Sequence, residues 1–468
     1  MSSASRRFAA LRFFLGAVVG SCLCFATLRG SPWQLVESDL PPHPELKQGT
    51  LPNGLRYAIL PNAEAKDRIS LRLVVGVGSL HENDDELGLA HFVEHMVFRG
   101  TRTHPAGSLT AALQRLGVGV GPDSAAFTFY DHTAYHLELP DASDRTLREG
   151  LRALREFAEE VTFDERLIER ERGVILSEMA TRDTPTARSG AANQAFLWPG
   201  SRHARRPIAG VPVTIRAFNR AQFVSFYDAW YRPERMAIVV VGNVDPARMT
   251  PIVEELLGKF VARGAPRPEP ADITPLAASA PDVALFSDPG LVGVLLTLQR
   301  PFATPLQPDT HTRRVALLHQ ALAFAMFHQR LQKITHDPGA SFLGPMAGVS
   351  SPMRGWQLAE LTVSGSIKGW TLVSAEVERE HRRAFQFGFT ASELADAKAG
   401  FVASYEQSVR TCVTWPSNWV ADRLAACLVS GTVFAHPSEA VEAIIIQNGF
   451  KRLFYQRTLI WQVVVYIR

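Results

Sequence analysis

The stretch His91-Phe92-Val93-Glu94-His95 leaves the backbone around it little choice. Two imidazoles at positions i and i+4 share a face only on a helix. On that helix, read over residues 87–98, His91 and His95 can hold one metal ion through their ring nitrogens. Glu94 is next to His95, so it can lie beside the metal without filling its coordination sphere. A metal held this way needs a third protein ligand, usually a carboxylate, and a position left open for water. The fold must therefore bring a second, acid-bearing element against this helix.

A helix read over 164–181 offers that acid twice, at Glu171 and Glu178. Seven residues are two helical turns, so both lie on one face. Leu167 and Ile175 share that face, which turns it inward. Buried carboxylates need partners, and a metal with two histidines supplies one. Glu169, in the charged run Glu169-Arg170-Glu171-Arg172, reads as solvent-facing, and Glu171 could follow it. Glu178 comes after Val174-Ile175-Leu176 and reads as inward. The H-x-x-E-H order is that of inverted zinc peptidases.

The rest of the chain reads as two mixed blocks. Strands are expected at 55–60, from Ile69 to Val77, and at 236–241, and a β-rich stretch at 126–139. A helical stripe (Leu147, Leu151, Leu154, Ala158, Val161) follows a cap at Ser143 or Asp144, and Asn219 is a candidate cap for a helix to Tyr231. Residues 264–281, with five prolines, read as a linker. Beyond it strands are expected at 283–286 and 292–298. Residues 163–178 echo 389–406 with small gaps, which suggests one duplication of a domain of about 200 residues rather than a solenoid. The expected fold is α+β: two related domains, each an antiparallel sheet with helices packed against it. The boundaries are 1–30 targeting segment, 31–44 spacer, 45–263 metal-binding domain, 264–281 linker, 282–442 second domain and 443–468 atypical tail.

Composition removes several functions. The 468 residues carry 49 Lys and Arg against 46 Asp and Glu, a net charge of +3, which argues against a nucleic-acid binder. Four cysteines cannot make a disulfide scaffold; Cys412 and Cys427 could pair in an oxidising compartment or remain two buried thiols. At the N-terminus, Arg6, Arg7 and Arg12 precede an apolar run from Phe13 to Leu28 that is short for a membrane span and right for a signal-peptide core. A lipoprotein box (Val19-Gly20-Ser21-Cys22), a partial twin-arginine signal at Ser5-Arg6-Arg7 and an uncleaved anchor are the alternatives. Every version exports the chain to the periplasm, the outer membrane or beyond, and limits membrane contact to this segment or a lipid anchor.

Gly88-Leu-Ala-His91-Phe-Val-Glu94-His95-Met-Val-Phe98-Arg-Gly100-Thr101 resembles the zinc-site signature of the insulinase/pitrilysin family of metallopeptidases. Gly78-Ser79, Leu116-Gly117, Thr133-Ala-Tyr135, Glu171 to Glu178, Trp230-Tyr231-Arg-Pro233 and Val239-Val-Val-Gly242 resemble its other landmarks, in order. The likeness is close over 45–265, looser over 280–440, and strongest to the exported bacterial branch. It implies that His91, His95 and Glu178 bind one zinc ion per chain. Glu94 would be the general base that activates water, and Glu171 a supporting acid. Ala125, Ala126, Phe127 and Thr128 match the edge strand that pairs with extended substrate, which implies cleavage of peptides or unfolded segments.

Two departures stand out. The family usually has Asn where this chain has Ala125, which would weaken substrate positioning. Exported members often contain two halves of two domains each, and this chain resembles one half. No acidic residue follows Glu442, so 443–468 reads as a truncation, a frameshift or a divergent terminal strand. The implied partner is a homodimer mate or a second half-enzyme subunit. The competing reading is a non-catalytic assembly subunit.

Overall fold

A computed structural model describes residues 38–64, 68–119, 121, 123–270, 283–304, 306–439 and 462–467, for the last of these the backbone only. The targeting segment, Cys22, Cys24 and most of the atypical tail lie outside the described residues. The first block contains β1 (Lys47–Thr50), β2 (Arg56–Pro61), β3 (Ile69–Val75), α1 (Leu89–Met96), α2 (Ser108–Arg115), β4 (Ser124–Thr128) and β5 (Thr133–Leu139). It continues through α3 (Asp144–Glu159), α4 (Glu165–Arg182), α5 (Pro185–Leu197), α6 (Arg202–Arg205), α7 (Pro212–Ala217), α8 (Arg220–Trp230), β6 (Met236–Gly242) and α9 (Pro246–Leu257). The second has β7 (Val283–Ser287), β8 (Val294–Ala303), α10 (His311–Thr335), β9 (Phe342–Ser350), β10 (Trp356–Gly365), α11 (Trp370–Phe387), α12 (Ala391–Thr411), α13 (Ser417–Ser430) and β11 (Gln462–Ile467).

The first sheet runs β1-β2-β6-β3-β5-β4 and the second β7-β11-β8-β10-β9. The α+β class stands. The sheets are antiparallel except for one parallel pair in each, β2 with β6 and β7 with β11. The partners are far apart in the chain, with β3 to β5 between β2 and β6 and β8 to β10 between β7 and β11, as parallel neighbours need a long connection. Within the atypical tail, 462–467 is a strand of the second sheet.

Local chemistry sets the boundaries. Ser143 caps α3 by accepting from the Thr146 amide. Asp164 caps α4, and Asn219 and Gln222 form a capping box on α8. Gly88, at φ +92°, starts α1 later than the residue pattern alone predicts. A Cβ there would lie 2.8 Å from the Ala209 carbonyl oxygen, so no other residue fits without movement.

One face of the first sheet buries Leu71, Leu73, Tyr135 and Leu137 against Phe92 of α1, Leu151 and Phe157 of α3 and Phe223 of α8. The other face buries Val74, Val239 and Val241 under Val420, Ala421, Leu424 and Leu428 of α13. With both faces covered, β6 is buried along its whole length and reads as one apolar run. The exchange is mutual: α5 packs on the second sheet, where Asn193 donates to Gln299 at 2.9 Å. Residues 264–270 run against the first block, with Arg267 on Glu86 and Glu269 on Arg235. Leu424 is 1% exposed. Leu424→Ala should therefore cost about 3 kcal/mol, the usual range for a buried Leu being roughly 2–5. Urea denaturation followed by tryptophan fluorescence would measure it; an unchanged midpoint would mean α13 adds nothing to the first sheet.

Cys412 and Cys427 are both free thiols, so the expected pairing is absent, and both are half-buried where the alternative had them buried. Among the described residues no helix is long and apolar enough to cross a membrane.

Candidate metal centre

Helix α1 carries His91 and His95 on one face, with ring centroids 4.7 Å apart. Helix α4 crosses beside it and brings Glu178 between them. Glu178 Oε1 lies 3.6 Å from His91 Nε2, and Oε2 lies 3.4 Å from His95 Nε2. One ligand atom from each of the three residues fits within a 4.8 Å group, and no other such group occurs among the described residues. Four bonds of about 2.1 Å in a tetrahedron place neighbouring ligand atoms about 3.4 Å apart. The two nitrogen–oxygen gaps, each to a different oxygen of Glu178, are close to that edge, and two imidazoles plus a carboxylate suit a zinc ion with a position left for water.

The proton inventory fits as well. His95 Nδ1 is 2.9 Å from Glu171 Oε1. An ionised carboxylate only accepts, so Nδ1 carries a proton and Nε2 is the nitrogen turned toward Glu178. Burial would lower the His95 ring, but the hydrogen bond to Glu171 and the charges of Glu94, Glu171 and Glu178 raise it above its ordinary value, so metal binding there would displace a proton from Nε2. Burial would raise the Glu171 carboxyl, but hydrogen bonds from His95 and Arg99 outweigh it and hold the group below the usual carboxylate range. Arg99 donates to Glu171 Oε1 at 2.8 Å. Burial, with His95 and Arg182 nearby, drives His91 down to about 3, so its ring is neutral at neutral pH. His91 Nδ1 has no hydrogen-bond partner among the described residues, so packing orients that ring. Arg182 pairs with Glu178 Oε1 at 2.8 Å.

Glu94 stays out of the three-residue group. Its Oε2 accepts from Thr128 Oγ1 at 2.8 Å, which ties it to β4. Burial raises the Glu94 carboxyl above its ordinary value. β4 ends the first sheet, and its outer edge has no partner strand among the described residues. Ala126 packs toward the core, while Phe127 and Ala125 point to the other face, Phe127 against His136 at 5.1 Å. Phe127 and Phe129 line a cavity of about 800 Å³ beside α13 and the second block.

The structure thus brings His91, His95 and Glu178 together, places Glu171 behind His95, and sets Glu94 between this group and the strand carrying Ala125 to Thr128. Glu171 is 1% exposed, so the solvent-facing alternative for it fails; Arg99 is what makes its burial tolerable. Arg99 and Glu82 escaped the sequence reading. Glu82 sits in the polar run Glu82-Asn83-Asp84-Asp85-Glu86, which looks like a surface loop, yet it is fully buried. Its one signal was an acid shortly before the glycine that opens α1.

A profile of the insulinase peptidases, peptidase family M16, matches residues 57–192. A profile of the M16 inactive domain matches 217–401. All five residues of the centre lie in the first match. The chain is 28% identical over 434 residues to the probable zinc protease PqqL of Escherichia coli strain K12, across 92% of this chain and 45% of that protein. It is 34% identical over 222 residues to the protein of the same name from Haemophilus influenzae, across 47% of this chain and 24% of that one. It thus spans less than half the length of either curated relative. The crystal structure of the first half of the periplasmic protease PqqL from Escherichia coli superposes with a TM-score of 0.83 at 27% identity, covering 92% of this chain and 93% of that one.

Proposed function

From the premise that the chain belongs to the insulinase family of peptidases, we propose that it is a zinc-dependent endopeptidase acting on peptides or unfolded protein segments. The observation that carries this is the convergence of His91, His95 and Glu178, with Glu94 outside the group and beside a free strand edge. In this reading His91 and His95 bind zinc through Nε2 and Glu178 through its carboxylate. Bound there, zinc supplies the acidity that makes water a nucleophile at neutral pH and polarises the scissile carbonyl. Glu94 takes the proton from the attacking water and passes it to the leaving amine. Thr128 holds Glu94 in place. Glu171, steadied by Arg99, holds the His95 ring and its tautomer. Substrate backbone pairs with the open edge of β4, so an extended chain binds and a folded one does not. Ala125 offers that backbone no side-chain hydrogen bond.

The centre keeps some solvent contact: the Glu178 side chain is 23% exposed and that of His95 16%. Water exclusion and oxyanion donors call for an opposing wall. A second half-enzyme subunit or a second copy of the chain supplies it in this proposal. An exported, periplasmic location follows the Escherichia coli relative.

Metal analysis and peptide cleavage decide between enzyme and subunit. Purified protein should hold about one zinc per chain and cleave an unstructured peptide slowly alone, faster as protein concentration or a partner rises. Turnover by a dilute monomer at a typical enzyme rate of about 10 per second would remove the need for a wall. Zinc-loaded protein inert with every partner tried would leave the subunit reading.

A further inference from the structure

Glu82 has no part in the chemistry above, and its side chain is wholly withdrawn from solvent. Its Oε2 accepts from the Gly88 amide at 2.9 Å and its Oε1 from the Ala90 amide at 2.8 Å. These amides open α1, whose N-cap residue is a glycine with no side chain to offer. A helix start leaves amide donors without intrahelical partners, and a carboxylate there satisfies them and complements the helix dipole. Ala90 is the neighbour of His91.

The loop that carries Glu82 is itself fixed. Arg206 Nε donates to the Glu82 carbonyl at 2.9 Å, Arg202 donates to the Leu80 and Glu82 carbonyls, and Ser79 donates to the Arg206 carbonyl at 3.1 Å. Leu80 packs with Trp198 of the α5–α6 connection and with Met353 and Trp356 of the second block. A chain of contacts therefore runs from the second block through this loop to the first turn of α1.

We propose that Glu82 is a positioning residue for the metal centre: it fixes α1 along its axis, and so fixes His91, Glu94 and His95 together against Glu178 and Thr128. The inference rests on the zinc reading. α1 is eight residues long, so a slip at its first turn moves every one of its functional side chains. Sites of this kind are sensitive to displacements of about 1 Å.

The test compares Glu82→Gln with Ser143→Ala, which removes the side-chain cap of α3 and touches no residue of the centre. Glutamine fills the same space but sets an NH2 group against one of the two amides. Zinc affinity is read by competition with a chromophoric chelator, ligand geometry by the visible bands of the cobalt-loaded protein, and kcat and KM on an unstructured peptide. Glu82→Gln should weaken zinc binding about tenfold or more, shift the cobalt bands and lower kcat, with KM little changed because β4 is untouched. Ser143→Ala should leave all of these as in the parent. Parent values in Glu82→Gln, or equal losses in Ser143→Ala, overturn the assignment. Where Glu82→Gln does not fold, Glu82→Asp gives the same readout: it keeps the carboxyl group and draws it back by one methylene. A parent protein that takes up no metal overturns the zinc reading and this one with it. A parent that takes up zinc beside an unaffected Glu82→Gln overturns only the role of Glu82.

Discussion

Glu94→Gln is expected to keep zinc and lose peptide hydrolysis. The side chain lies outside the three-residue group, so no metal ligand is removed. The amide is nearly isosteric, and its oxygen can still accept from Thr128, so the link between α1 and β4 survives. It cannot accept the proton of water at neutral pH. General acid–base catalysis contributes roughly 10² to 10⁴ in rate, which is about 3–5 kcal/mol of barrier. Metal content by elemental analysis and single-turnover cleavage by the zinc-loaded variant measure both parts. Turnover near the parent rate would sink the general-base assignment. Loss of zinc would move Glu94 into the coordination sphere.

The parts of this site that were legible in the sequence are those set by local periodicity. The i, i+4 spacing of His91 and His95 specifies a shared helix face, and the seven-residue spacing of Glu171 and Glu178 does the same on α4. Asn219 and Ser143 announced their helices because a capping side chain acts within three residues of itself. The relative burial of the two acids was harder to read. In Glu169-Arg170-Glu171-Arg172 every residue is charged, so polarity carries no phase, yet Glu171 is 1% exposed. Its partner Arg99 is 72 residues away in sequence, which no local pattern reveals. Glu82 was hidden for the same reason, with its burial depending on Arg206 and on Gly210 packing against Gly88.

The exchange of helices between the blocks shows the same limit at a larger scale. By position α13 belongs with the second block, and its apolar face fits either sheet. Only the assembled structure shows that the face meets Val74, Val239 and Val241. The likeness of 163–178 to 389–406 does correspond to two long helices, α4 and α12, capped by Asp164 and Thr390. The sequence holds one H-x-x-E-H, and among the described residues no helix facing α12 carries such a pair of histidines.

His91→Ala and Glu178→Gln should each strip the zinc, whereas Glu171→Gln should only loosen it. The geometry separates the two acids. Both oxygens of Glu178 face the Nε2 atoms of His91 and His95. Glu171 is committed elsewhere, with Oε1 on His95 Nδ1 and Arg99 and Oε2 on Arg99. Removing an outer partner of a metal ligand costs about 10- to 100-fold in affinity, so Glu171→Gln should fall in that range. Removing one of three protein ligands should cost more than that, because the remaining two hold the ion weakly. Glu178→Gln adds a second penalty, since Arg182 then stands beside the centre without its carboxylate partner. Chelator competition on the three variants ranks them directly. Unchanged zinc affinity in Glu178→Gln together with zinc lost from Glu171→Gln would reverse the assignment, and would require the His95 ring to turn so that Nδ1 becomes the ligand.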